Sequence, residues 1–490
     1  MPQSHISSYA TISLILLAGC SANPNANTVA TTSTTIPVTI PNLQPYTDTT
    51  GTLATYTTAG LIDESNPFFA ITSSNGRTCA TCHQPSQGMT ITPIAATTLF
   101  TSTSGTDPLF AAIDGANCPT VATGNTAGHS LLLNNGLIRI AVTLPANAQF
   151  TVTVLHDPYG CATSVSSGQQ TVSIYRRSLP VSGLPYLSAV MWDTRETAAA
   201  LDTASSFSAN LTNDLTAQIL NAVATHFQNG ASPTTAQMNA GLAFEQSVFT
   251  AQMTDAAAGS LSVGGANGGP TNMAAANYYP GINDAFGGDP TGAKFNPNVF
   301  NLYAAWNGST NSAQASIARG EVVFNTAPMN ITGVRGLNDN AALGSPAVLH
   351  ASCGTCHDVP NLGHHSLPLP MDTGLSRLTA SETNPQILAG VAQLTAPDMP
   401  IYQIAGCTDA TGAPITYVTT DPGKGLFTGL CADVNRVKIP SLRGLAGRAP
   451  YFHNGSAATL TQLVNFYNAR FQMGLNPMQK QDLVNFLGAL

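Results

Sequence analysis

The sequence predicts a mainly α-helical protein of two domains, the first carrying a small β-rich insertion. Three observations lead there: amphipathic helical patterns late in each half, a group of short β-branched segments between residues 137 and 175, and one five-residue motif present once in each half.

That motif is Cys-x-x-Cys-His, at Cys79, Cys82 and His83 and again at Cys353, Cys356 and His357. With 9 Cys and 10 His in 490 residues, chance supplies only about 0.003 such motifs. Two thiols at this spacing bond the vinyl groups of a haem, and the adjoining histidine ligates its iron, so the pattern is the attachment signature of c-type haem. A structural zinc site needs a further Cys or His pair a dozen or so residues away, and neither motif has one. A thioredoxin-like redox pair sits between a buried strand and a helix, whereas loop-like Ser73 to Thr78 and Gly344 to Pro346 precede these motifs. Two covalently bound haems are expected, one in each of two cytochrome c-like domains.

The elements follow in chain order. Residues 1–20 read as a lipoprotein signal: an apolar run from Ile12 to Leu17 is too short to span a bilayer, and Leu17-Ala18-Gly19-Cys20 resembles the lipobox whose cysteine is lipidated. The segment before it has no Lys or Arg, only His5. Residues 21–50, rich in Thr, Asn, Ala and Pro, read as a flexible tether. An N-terminal haem domain is expected over 51–312, with the β-rich insertion at about 90–185. Its strands are Leu137–Val142, Phe150–Leu155 and Val172–Tyr175, each β-branched and bounded by Pro, Gly or Asn.

From Asp214 the pattern turns helical, with Leu215, Ile219, Ala222 and Val223 on one face and Gln218 and His226 sharing it. Residues 258–300 are Gly, Asn and Pro-rich and read as a long loop. A C-terminal haem domain over 313–490 opens with a helix from Ser316 to Asn325. It closes with a helix capped by Thr459 and Gln462, then a last helix starting at Asn476-Pro477.

Once Cys20 and the four motif cysteines are assigned, Cys118, Cys161, Cys407 and Cys431 remain, and in an exported chain they suggest two disulfides. Proximity favours Cys118 with Cys161 and Cys407 with Cys431, although three pairings are open. Charged residues make up 8% of the chain against about 25% ordinarily, so solubility rests on neutral polar side chains. The net charge of −8 excludes nucleic acid as a natural partner and suits a basic electron donor.

The run Lys438-Ile439-Pro440-Ser441-Leu442-Arg443 with Ala449-Pro450-Tyr451-Phe452-His453-Asn454-Gly455-Ser456 resembles the bacterial dihaem cytochrome c peroxidase and MauG family. Met191-Trp192-Asp193-Thr194-Arg195 stands where that family has Phe-Trp-Asp-Gly-Arg, keeping the tryptophan, aspartate and arginine. The resemblance spans about residues 60–490 and implies the following. His83 and His357 are proximal iron ligands, Trp192 relays electrons between the haems, and the backbone carbonyls of Arg448 and Pro450 bind an interhaem calcium ion. Fourteen positions after His453 the peroxidases have an axial methionine and MauG an axial tyrosine; Tyr467 stands there, with Met473 as its rival. The family's distal glutamate follows a glutamine by ten positions, but if the glutamine is Gln218 the second position is Gln228. A glutamine is no acid or base, so His226 is the substitute expected to move the proton.

Weaker candidates are His129 and His156 in the insertion, His364 and His365 as partners of a propionate, and Arg195 and Arg443 in the same role; for each, an ordinary structural or solvated role competes. The reading implied is an exported peroxidase of the periplasm or cell envelope that reduces hydrogen peroxide with electrons from a small redox protein. A homodimer stays open. The alternatives are a dihaem electron-transfer cytochrome without peroxide chemistry and MauG-like oxidation of a partner protein.

Overall fold

A computed structural model describes residues 38–71, 73–198, 206–228, 232–377, 398–409 and 411–490. The expected signal, Cys20 and the tether up to residue 37 lie outside them. Val38–Leu490 forms one compact unit, and residues 38–50, expected to end the tether, hold the strands Thr39–Pro41 and Tyr46–Thr47.

The fold is a mixture of α and β, not mainly α. Among the described residues helix accounts for 31% and strand for 19%, and their strands form five antiparallel sheets, so sheet is a structural layer and not an ornament on a helical body. The cause is pairing between distant segments. Gly51–Thr57 pairs along its length with Val248–Asp255, Tyr56 opposite Phe249, and Tyr46–Thr47 and Gly259–Ser260 extend the sheet. Thr55 and Thr250 link their hydroxyls across it at 2.8 Å. A Thr-rich strand of this kind gains its stability from cross-strand neighbours rather than from its own propensity, so its periodicity alone is weak.

The three expected insertion strands are present as Leu137–Thr143, Thr151–His156 and Gln169–Arg177. They divide between two sheets. Leu137–Thr143 and Thr163–Ser166 flank Gln169–Arg177, whereas Thr151–His156 pairs with Ile401–Thr408, which continues to Pro414–Thr419. A shared core of Val142, Val152, Ile174, Tyr402 and Ile404 joins the two. Cys118–Cys161 and Cys407–Cys431 are disulfides, so both proximity pairings hold.

The expected helices are found at Phe207–Thr225, Ser312–Thr326, Leu460–Arg470 and Pro477–Gly488. Thr459 caps the third by accepting from the Gln462 amide. Asn476 and Gln479 close a reciprocal capping box on the fourth, with Pro477 in its first turn. Ser312–Thr326 crosses Pro477–Gly488 at Gly320, where a Cβ would sit 2.0 Å from the Asp482 carbonyl oxygen; only glycine permits that approach. Phe324 and Phe486 meet at 5.6 Å between ring centroids, and Phe324 passes on to the ring of His357 at 6.2 Å. The helix crossing thus carries one wall of the site.

Candidate active site

Both Cys-x-x-Cys-His motifs occupy a single short turn. Thr78 and Ser352 cap them, each bonding reciprocally with the Thr at the third position, Thr81 and Thr355. The turn brings the His83 amide to 3.0 Å from the Cys79 carbonyl and the His357 amide to 3.1 Å from the Cys353 carbonyl. His83 Nδ1 lies 3.1 Å from the Met89 carbonyl and His357 Nδ1 2.7 Å from the Gly363 carbonyl. A carbonyl only accepts, so Nδ1 carries the hydrogen in each ring and Nε2 keeps its lone pair for a metal. Burial pushes both imidazoles down to about 4, so both are neutral donors at neutral pH. Cys79, Cys82, Cys353 and Cys356 stand outside the disulfides.

Each motif lines its own cavity. Each has a volume of about 190 Å³. The two share the segment Arg177–Pro180 together with Trp192, Lys438 and Ser441. Trp192 therefore stands in the partition, fixed by its Nε1 donating to the Arg177 carbonyl at 2.8 Å and by its own carbonyl accepting from the Lys438 amide at 2.7 Å.

The donor set fits haem. Besides paired thiols and an imidazole per cavity, the partition holds cations without anionic partners. Arg177 bonds to the carbonyls of Asn135, Gly136 and Arg448, Lys438 to that of Ala189, and Arg448 to those of Gly444, Ser441 and Arg443. Among the described residues none of the three forms an ion pair. Burial draws Arg177 and Arg448 down to about 10 and Lys438 down to about 8. Buried cations need anions, a charge that haem propionates would supply. The residues do not fit calcium in the same way. Pro450 lines the second cavity, but the Arg448 carbonyl accepts from Arg177 Nη2 at 3.1 Å, which puts a guanidinium where a cation would bind.

The first cavity has a polar margin. His226, at the C-terminal end of Phe207–Thr225, places Nδ1 2.5 Å from Asp114 Oδ2, and Arg77 holds the other oxygen of Asp114. Burial alone would raise Asp114, but the His226 hydrogen bond and the charge of Arg77 outweigh it and hold the carboxyl below its ordinary range. His226 and Asp114 also line a cleft of about 750 Å³ that opens to solvent, so the pair stands between cavity and exterior. Gln218 lines the cavity. Gln228 is exposed in the outer cleft, with φ of 52°.

Sequence reasoning missed Asp114 and Glu245, which no spacing relates to the motif, and Arg77, which stands two residues before Cys79 but has no partner in its own segment. Glu245 lines the first cavity, is 3% exposed and leaves Oε2 without a hydrogen bond. Burial pushes its carboxyl up to about 8.

Tyr467 lines the second cavity, stacked on Phe471 at 5.8 Å, and its hydroxyl has no hydrogen-bond partner among the described residues. Burial pushes its phenol well above the ordinary value. Met473 lines the same cavity, as does Met371, whose sulfur lies 4.0 Å from Cys356 Sγ. His453 stands 6.0 Å from the Trp192 ring and bonds Ser376 Oγ at 2.9 Å.

The remaining candidates have other partners. His129 is a core residue bonded to the Asn125 and Phe110 carbonyls. His156 pairs with Asp398 on the surface. Arg195 lines the first cavity and pairs with Asp193, and Arg443 bonds the Asn361 and Gly269 carbonyls. His364 and His365 are buried together, His365 against Asp358.

Thiol pairs, neutral imidazoles and partnerless cations around apolar cavities define the site of a c-type cytochrome. The sequence matches agree: cytochrome-c peroxidase IdrP2 of Denitromonas iodatirespirans is 35% identical over 133 residues, 26% of this chain and 34% of that protein. Cytochrome-c peroxidase IdrP1 of the same organism is 36% identical over 87 residues, 15% of this chain and 23% of that protein. The matches thus span about a third or less of the relatives' length. No family model matches. A solved MauG-like protein associated with microbial copper homeostasis aligns with 68% of this chain and 79% of its own, at 15% identity and a TM-score of 0.27. The curated matches support the cytochrome-c peroxidase family for this chain, as its motifs imply.

Proposed function

We propose that the chain is a dihaem c-type peroxidase that reduces hydrogen peroxide to water with electrons from a small redox protein. One observation carries the reading: the two motif cavities meet at a single buried partition containing Trp192. Bound there, haem supplies an iron that exchanges electrons one at a time and activates peroxide. Cys79 and Cys82, and Cys353 and Cys356, hold it by thioether bonds, and His83 and His357 ligate it through Nε2.

The chain's own residues divide the remaining work. His226 is held by Asp114 through Nδ1, which leaves Nε2 to take a proton from peroxide arriving through the outer cleft and return it to the leaving oxygen. Gln218 lines the same cavity and orients the substrate. Trp192 places an aromatic ring between the two sites, and Arg177, Lys438 and Arg448 bind the propionates. Overall, one peroxide, two protons and two electrons give two waters.

The disulfides and thioether attachment fit an exported chain of the periplasm or cell envelope, lipid-anchored at Cys20. Among the described residues no helix is long and apolar enough to cross a membrane. MauG-like oxidation of a partner protein is a second reading, favoured by Tyr467 in the second cavity, where a phenolate ligand stabilises oxidised iron.

The test is EPR of the mature holoprotein, followed by peroxide with and without a reduced small cytochrome. Oxidation of that donor supports the peroxidase. A long-lived oxidised species without donor turnover supports the second reading. A wholly low-spin spectrum that peroxide leaves unchanged sinks both and leaves the electron-transfer cytochrome.

A further inference from the structure

Away from the partition, Asp284, Asp358 and His365 form a buried cluster, exposed by 1%, 0% and 4%. One ligand atom from each lies within 4.8 Å of the other two. We propose that this cluster binds a first-row divalent cation of the zinc class.

The first support is an orphaned carboxylate. Asp284 Oδ2 accepts from the Phe286 and Gly288 amides at 2.9 and 2.7 Å, whereas Oδ1 is buried without a hydrogen bond. Asp358 is clamped likewise: Oδ1 accepts from the Ser366 amide at 2.7 Å, and Oδ2 lies 3.0 Å from His365 Nδ1. His365 forms an ion pair with only one of the two carboxylates, and its Nε2 is also buried without a partner. Among the described residues no Arg or Lys pairs with either aspartate. Two buried carboxylates sharing one imidazole lack positive charge, and a cation supplies it.

The second support is spacing. Zinc binds such ligands at about 2.0–2.2 Å, so two ligands of one ion lie up to about 4.4 Å apart, within a small adjustment of the separations present here. The cation takes the place of the proton between Asp358 Oδ2 and His365 Nδ1 and draws in Asp284 Oδ1, releasing that proton on binding. An imidazole with two carboxylates selects a borderline divalent ion, whereas calcium prefers an all-oxygen shell. Backbone amides already fix the second oxygen of each aspartate, the kind of support that orients metal ligands.

Position gives the site a consequence. Asp358 directly follows His357, and Asn283 Nδ2 bonds the Asp358 carbonyl at 3.1 Å. A bound ion ties the loop around residues 283–289 to the turn holding the proximal histidine of the second cavity. This inference does not depend on peroxide chemistry.

The experiment strips the mature holoprotein with chelator and titrates it by calorimetry with zinc chloride, manganese chloride and calcium chloride in turn. Asp284→Asn and His365→Gln are run in parallel, with the Soret spectrum as the control for folding. One zinc per chain is expected, with a rise in melting temperature and at least a roughly tenfold weaker affinity in either variant, the range typical of metal-site changes. Zinc uptake that both variants retain, or calcium uptake alone, overturns the proposal. If neither variant folds, the wild-type melting curve decides: no rise with zinc rejects the site.

Discussion

The two cavities are built on the same Cys-x-x-Cys-His pattern and the same kind of capped turn, yet their surroundings differ. The first has a hydrogen-bonded Arg77, Asp114 and His226 relay on its margin, and two of those residues also line a cleft open to solvent. The second is lined by Tyr467, Met371 and Met473 and by Phe324 of the helix crossing. An attachment motif therefore fixes a cofactor's anchor and one axial ligand. The reactivity of each site is set by side chains brought to it from elsewhere in the chain.

The largest expected break in this comparison is His226→Ala. General acid and base groups contribute about 10²–10⁴ in rate, so kcat/KM for peroxide should fall by that order while the spectrum of the second haem stays constant. Equal spectral change at both haems would mean that His226 is structural. Asp114→Asn should cost less, about 10–100-fold, because it acts by orienting His226.

The same aspartate sets an acid limit. Its folded pKa is lowered, so its contribution to stability is complete above the unfolded value of about 3.9 and is lost as pH falls through the folded value. Acid-unfolding curves of Asp114→Asn should lack that step.

Tyr467→Phe addresses the second cavity alone. The visible and EPR spectra of the second haem should shift while those of the first do not; an unaltered second haem would pass the ligand role to Met473 or Met371.

The last test concerns stability and not the reaction, and belongs to Glu245. Its carboxyl, at about 8 in the fold against about 4.3 unfolded, contributes stability that is full below the unfolded value and is lost as pH rises towards 8. Melting temperatures of Glu245→Gln between pH 5 and 8 should slope less than those of the wild type. Parallel slopes would show that Glu245 does not titrate there.

Local elements were legible because their causes are local. The capped helices at Thr459 and Asn476, the three β-branched strands and both disulfides follow from patterns within a few dozen residues. The mainly helical reading failed where causes are distant. Gly51–Thr57 pairs along its length with a strand roughly two hundred residues away, and Ile401–Thr408 joins its hairpin partner Pro414–Thr419 to a strand more than two hundred residues back; no short window along the chain contains those distant pairings. His226 could be singled out from its helix face, but Asp114, which orients it, could not.

By itself the sequence determined the paired thiols and adjoining imidazole of each motif, since their spacing along one turn is a property of consecutive residues. Only the tertiary structure decided that the two cavities share Trp192, that buried cations without counter-charges surround it, and that Asp284 meets Asp358 and His365. Those are meetings of segments that each contribute one or two side chains, and the energy of burying charge acts between such segments through space, not along the chain.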